Sequence, residues 1–291
     1  MKKIFLSLIV AATIVTSCNK DRIDEEPEFE SMDAFFNKNK PQEQEFIITS
    51  DSGSGPVVGK DGTELWGFRD VLMYPNGDTI PFPYSLKLIE LYTYKDMILF
   101  QMPSLSGTDI LETGGEIKVR ACHAGNELVV IPGKFYPVVL STTPTVSNMK
   151  VYQGNHPNDE YGDWNLSSDG SSVADTGRYG LGLAKLGWQN CGKLGASAGT
   201  TDIIFTTDKQ GGEFISLFLA GQNYHGMLQG SDLKIENAPI GESITVVAMA
   251  MDQNDNYYIH KQTITVTAGL TIPLTMNKVS EAALLSELGG L

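Results

Sequence analysis

From Gln42 to Val266 the sequence is written mainly with a period of two. The run 85–91 (Ser-Leu-Lys-Leu-Ile-Glu-Leu) shows it most clearly, and 45–49, 80–82, 115–121, 127–131, 136–140 and 149–152 are of the same kind. A period of two sends successive side chains to opposite faces of an extended strand. Each such run therefore needs a covering layer for its apolar face. A second series follows at 178–183, 201–206, 213–219, 243–250, 257–262 and 263–266. Turn chemistry separates the runs, as at Pro75-Asn76-Gly77-Asp78 and Ala124-Gly125-Asn126. Prolines inside several runs confine those strands to edges or limit their length. Many short strands with glycine-rich turns imply an all-β chain built as two consecutive β-sandwich domains.

The clearest helical pattern is C-terminal. Asn277 can cap a helix over 276–288, Glu281 supplies early negative charge, and Leu284, Leu285 and Leu288 form a stripe. A short amphipathic turn is read at 32–36. The polar loop 155–162 (Asn-His-Pro-Asn-Asp-Glu-Tyr-Gly) is the best boundary between sandwiches. The expected order is a signal peptide at 1–17, a flexible tether at 18–41, a first sandwich at 42–156, a second at 157–276, and a C-terminal helix and tail at 277–291.

The N-terminal segment explains the signal-peptide reading. Lys2 and Lys3 precede an apolar run from Ile4 to Val15 that is shorter than the roughly 20 residues a membrane-spanning helix needs. Val15-Thr16-Ser17-Cys18 then matches the lipobox of bacterial lipoproteins. Cys18 is the expected lipid attachment site, since its thiol takes the diacylglycerol before cleavage. Two or more acyl chains anchor a protein stably. Cleavage would leave 274 residues (291 − 17) and, with Lys2 and Lys3 removed, take the net charge from −14 to −16. That charge repels nucleic acid, so no nucleic-acid partner is expected. The acidic run Asp24-Glu25-Glu26 resembles a surface-export signal. Outer-membrane attachment is expected, at the cell surface rather than the periplasmic face.

Cys122 and Cys191 remain, read as separate thiols, one in each domain. No cofactor, metal site or catalytic residue is assigned. Gly195-Ala196-Ser197-Ala198-Gly199 fits G-x-S-x-G, but a hydrolase would need a helix after Ser197 and a strand follows instead. The stretch 53–60 lacks the spacing of a phosphate loop, and 252–256 lacks the glycine and glutamate of a calcium loop, reading as a hairpin turn. His156, Asp159, Glu160 and Asp163, beside Trp164, make a denser polar loop, the candidate ligand loop. Trp188 is expected in the core, and Trp66 is left open.

Four motifs carry a family resemblance: Tyr94-Lys95-Asp96-Met97-Ile98-Leu99, Leu111-Glu112-Thr113-Gly114-Gly115-Glu116-Ile117, Asp163-Trp164-Asn165 and Leu186-Gly187-Trp188-Gln189-Asn190-Cys191. Their order and spacing resemble Bacteroidetes surface lipoproteins with two β-sandwich domains. The resemblance implies a first domain like the netrin-receptor and ankyrin sandwich and an immunoglobulin-like second. It implies no established activity. The Asp-Arg-Phe that often follows Asn-Cys in that group is Gly192-Lys193-Leu194 here. None of the four histidines begins the His-Phe-Ser at which some netrin-receptor-type sandwiches cut themselves. Three functions follow as expectations: a lipid-anchored, non-enzymatic protein binding a glycan or protein partner, a structural subunit of an envelope assembly, or a secreted hydrolase using Ser197 or the Asp159/Glu160 pair.

Overall fold

The computed structural model describes residues 31–51, 55–154, 163–195, 199–207, 215–221, 227–230 and 232–291. The chain is mostly β, as its periodicity requires. With strands numbered in chain order, the first sheet runs β1 (Gln44–Ile48), β5 (Tyr84–Leu91), β7 (Asp109–His123), β15 (Gly187–Leu194), β11 (Lys150–Gly154) and β12 (Trp164–Leu166). Two short strands, β6 (Leu105–Ser106) and β8 (Asn126–Glu127), fold back on β7. The facing sheet runs β13 (Ser172–Asp175), β14 (Tyr179–Leu183), β10 (Tyr136–Val139), β3 (Glu64–Leu65) and β2 (Val57–Val58). A two-stranded ribbon, β4 (Leu72–Met73) with β9 (Val129–Val130), closes one end. Leu86, Leu88, Ile117, Val119, Val138, Leu181 and Cys191 meet between these sheets as the first core.

The second sandwich sets β18 (Met227–Gly230), β17 (Ser216–Gly221), β20 (Ser243–Met251), β21 (Tyr257–Thr265) and β23 (Asn277–Val279) against β19 (Lys234–Pro239), β16 (Thr200–Thr207) and β22 (Thr271–Leu274). The β16–β22 pair is parallel. Ile203, Phe205, Leu217, Leu219, Val246, Ala248 and Ile272 fill its core.

Among the described residues, three α-helices lie between the sandwiches. α1 (Met32–Asn39) is capped by Ser31, whose Oγ accepts from the Ala34 N–H at 3.3 Å. α2 (Tyr94–Phe100) opens with a capping box between Thr93 and Asp96. α3 (Glu281–Gly289) is capped by Ser280. Their buried faces join the outer face of the first sheet (Ile89, Leu91, Trp188) to that of the second sandwich (Phe218, Val247, Met249, Ile259) in one cluster. This layer explains why 243–250 reads as a continuous apolar run and not as an alternation. In β20, Val246 and Ala248 face their own core, while Val247 and Met249 face the helices.

Several expectations are corrected. The boundary does not fall at 156/157. β11 pairs with β12 and β15, and β15 pairs with β7, so the first sandwich continues to Leu194 and the second begins at Thr200. A polar loop looks like a linker locally, but strand pairing is non-local and spans it. The expected tether at 18–41 ends earlier, because α1 buries Phe35 and Phe36 against Tyr257 and Phe218, with ring centroids 5.3 and 6.0 Å apart. The C-terminal helix starts after Ser280, since Asn277 instead pairs with Ile259 as part of β23. Residues 80–82 form no strand. Both cysteines belong to the first sandwich and both are free. Cys122 lies six residues beyond Glu116, whose strand partner Asn190 adjoins Cys191, a separation of about 20 Å along the strand.

Candidate functional site

The four family-like motifs converge on one place, the outer face of the first sheet beneath α2. Between β7 and β15 the register steps from Asn190↔Glu116 to Gly192↔Thr113. β7 thus carries one extra residue, a bulge at Gly114-Gly115. Gly115 has φ +139°, and a Cβ on it would stand 2.4 Å from the Tyr92 ring. The bulge turns Thr113 and Glu116, three residues apart, toward the same network. Asn190 Nδ2–H donates to Glu116 Oε1 at 3.0 Å, Ser104 Oγ–H donates to the same oxygen at 2.9 Å, and Thr113 Oγ1–H donates to Asn190 Oδ1 at 2.8 Å. Glu116 is fully buried, and its Oε2 has no hydrogen-bond partner. Burial pushes its carboxyl up to about 8, so at neutral pH it is mostly protonated. Trp164 Nε1–H donates to the Pro103 carbonyl at 3.0 Å, clamping the same segment. Sealed on every side, this cluster ties the layers together.

The expected ligand loop fares differently residue by residue. His156, Asp159 and Glu160 lie outside the described residues, as do Cys18 and Ser197. Asp163 is beside the loop, its Oδ1 accepting from the Gly107 N–H at 2.8 Å. Trp164 has no exposed face, because its ring is packed edge-on against Trp188 at 6.5 Å. An indole used to hold two layers together cannot also stack on a ligand, so Trp164 is removed from the site. Trp188 is buried as expected. Trp66 is half-buried and stacked on Phe68. The segment holding Ser197 joins strand β15 to strand β16, not a strand to a helix. In the 252–256 turn, Asp252 accepts from the backbone N–H groups of Asn254 and Asn256, from the Asn256 side chain and from Tyr258, as a hairpin turn requires. The Gly59–Thr63 loop closes over the buried Glu90 carboxylate, which accepts from the N–H groups of Asp61 and Thr63 at 3.1 and 2.9 Å.

An open site appears elsewhere, where β15 diverges from β7 at Gly187 and the 128–135 segment crosses. It encloses about 940 Å³. Its base is apolar, from Met73, Ala121, Leu128 and Leu186, and half-exposed Val129 and Phe135 border it. Phe135 is 45% exposed and rests on glycines: a Cβ on Gly170 or Gly182 would lie 3.5 Å from its atoms. Four cations line the groove, Lys118, Arg120, Lys134 and Lys185, against the two carboxylates Glu127 and Asp169. That inverts the balance of the whole chain, 21 Lys and Arg against 35 Asp and Glu. Arg120 is held by Glu127 at 2.7 Å and by Glu43 at 3.0 Å, and Lys134 by Asp70 at 3.2 Å. Lys118 lies 5.7 Å above the Trp188 ring, and Lys185 is exposed. Asp169 takes hydrogen bonds from Ser167, Ser171 and Gln153; partial burial pushes its carboxyl up, but these bonds outweigh it and hold the group well below the usual range.

The groove escaped sequence reading because its residues come from four separated stretches, near 73, 118–121, 127–135 and 184–187. The only local hint is Gly133-Lys134-Phe135, a turn that presents an aromatic residue beside a cation. In comparison with known proteins, no family model, no curated protein and no solved structure matches this chain.

Proposed function

We propose that this protein is a lipid-anchored, non-enzymatic component of the outer membrane, displayed at the cell surface, that binds a glycan or protein partner in the groove of the first sandwich. The observation that carries the binding reading is the groove itself, an apolar base with an aromatic ring laid on glycines and a cationic border. Concave, mostly apolar sites with a few oriented polar groups are where ligands bind. Glu116 is fully buried with Oε1 accepting from Ser104 and Asn190, and Asp169 accepts from Ser167, Ser171 and Gln153, so both carboxyls serve internal contacts, which supports binding over catalysis.

The anchor reading rests on the lipobox at Cys18. Ser31, which caps α1, is 13 residues further on (31 − 18), so the tether can span at most about 45 Å.

Two measurements test the proposal. Cells fed a radiolabelled fatty acid should label the wild-type protein and not Cys18→Ser. Purified mature protein should be retained on glycan or peptide panels, and Phe135→Ala should reduce that retention. Esterase or glycosidase turnover that disappears in Ser197→Ala would overturn the non-enzymatic reading.

A further inference from the structure

The composition of the groove points to one ligand chemistry. We infer that it takes an acidic saccharide, a chain bearing carboxylate or sulfate groups, with a sugar ring on Phe135 and its anions on the lysines and Arg120. This rests on the binding reading above and specifies its ligand.

Three observations carry it. First, Phe135 is a platform and not a core residue. One side of the ring lies against Gly170 and Gly182, positions without side chains, and the residue is 45% exposed. A flat aromatic face held in place on backbone suits the apolar face of a pyranose and loses little rotamer freedom on binding. Second, four cations and two carboxylates line the groove, within a chain of net charge −14, and two further carboxylates, Glu43 and Asp70, pair with Arg120 and Lys134 from outside the lining. The overall field repels anions, so attraction here must be local and short-ranged.

Third, two of the three acids that hold these cations are exchangeable. The Glu127 and Asp70 side chains are 64% and 74% exposed, and exposed ion pairs contribute little, whereas Glu43, at 26%, stays on Arg120. An incoming carboxylate or sulfate can replace Asp70 on Lys134 and Glu127 on Arg120 at small cost, with Glu43 remaining on Arg120, while Lys185 is already exposed to solvent. Asp169 is different: it accepts from Ser167, Ser171 and Gln153 and pairs with no cation at salt-bridge distance among the described residues, so it stands in the wall as a fixed negative charge. An acidic peptide could meet the cations, but it offers no ring for Phe135.

The test uses the full mature chain and four probes: neutral dextran, dextran sulfate, polygalacturonate fragments and poly-glutamate. Binding is measured by calorimetry or retention at low and high salt. The expected result is binding of dextran sulfate, polygalacturonate or both. It should weaken about tenfold as added salt shortens the screening length from roughly 10 Å to roughly 3 Å. Phe135→Ala should weaken it about tenfold, and Lys118→Ala with Lys185→Ala by at least as much. Which acidic chain binds distinguishes sulfate from carboxylate. Circular dichroism of the variants checks that they remain folded, and Lys185→Arg should retain binding. Equal binding of dextran, or of poly-glutamate without dependence on Phe135, overturns the acidic-saccharide assignment while leaving a binding groove in place. Acidic-chain binding that is unchanged in all groove variants overturns the assignment and the groove reading together. No binding of either acidic chain overturns the assignment.

Discussion

Glu116→Gln should stabilise this protein, and only above mildly acidic pH. Burial raises the Glu116 carboxyl from 4.5 to about 8 in the folded chain. Between those values the folded chain keeps a proton that the unfolded chain has released. Stability must therefore fall as pH rises through that window, by up to about 1.4 kcal/mol per pH unit, or about 5 kcal/mol across it. Below the window both states are protonated and Glu116 contributes nothing to the pH dependence. Above it both are ionised and the full penalty remains. Glutamine fills the same volume, and its oxygen can accept from Ser104 and Asn190 as Oε1 does. Its NH₂ replaces Oε2, which has no partner to lose. Urea unfolding of both proteins should thus give similar stabilities near pH 4.5 and a gap of several kcal/mol in favour of the variant near pH 8.5. Effects of every other group cancel in the difference. A gap that stays constant with pH would refute the reasoning, because it would mean that Glu116 is already ionised when folded. Glu116→Ala serves as the contrast. Near pH 5 it strands the Ser104 and Asn190 donors and opens a cavity, so it should lose about 3 kcal/mol.

Other sites give sharper local outcomes. Phe35→Ala, which removes the ring packed on Tyr257, should cost about 3 kcal/mol in chemical denaturation and make the 32–39 helix an early proteolytic site; undiminished protection would show that α1 is not held by that ring. Gly115→Ala puts a Cβ 2.4 Å from Tyr92 at a φ of +139°, so a loss of at least about 2 kcal/mol is expected, and a neutral result would mean that the bulge is absent. Burial pushes the Cys191 thiol up to about 12 and also raises Cys122, which is only half-buried. In the native protein at neutral pH a thiol reagent should therefore label Cys122 slowly and Cys191 only after denaturation, as mass spectrometry of labelled peptides would reveal.

Much of the fold was legible locally. The run 85–91 became β5, 178–183 became β14 within a residue, and 257–262 with 263–266 fused into the single strand β21. These succeed because the two-residue period is a property of each strand by itself. The helices were harder to read. α2 carries a clean capping box at Thr93 and Asp96, yet its polar residues, Lys95 and Asp96, are confined to the first turn and Met97 to Phe100 are all buried, so no period is revealed. Its last four residues are covered whichever way they point, and amphipathicity is legible only where one side stays wet along the helix. The motifs around Glu116, Trp164 and Trp188 stood out in the sequence for a reason that the sequence did not state. They converge on a sealed network between layers, so their chemistry is structural, and Trp164 cannot serve the loop beside it. The groove left almost no trace, because Lys118, Phe135 and Lys185 acquire meaning only through proximity.

By itself the sequence determined that this chain is all-β, that it forms sandwiches, and which residues of each strand share a face, since alternation is dictated by backbone geometry. It could not determine which strands pair. Only the tertiary structure carried 164–194 back into the first sandwich, drew α1 out of the apparent tether, and placed three helices between two sheets. Those outcomes depend on contacts between residues as far apart as Phe35 and Tyr257, whose burial is decided by the whole chain and written in no local window.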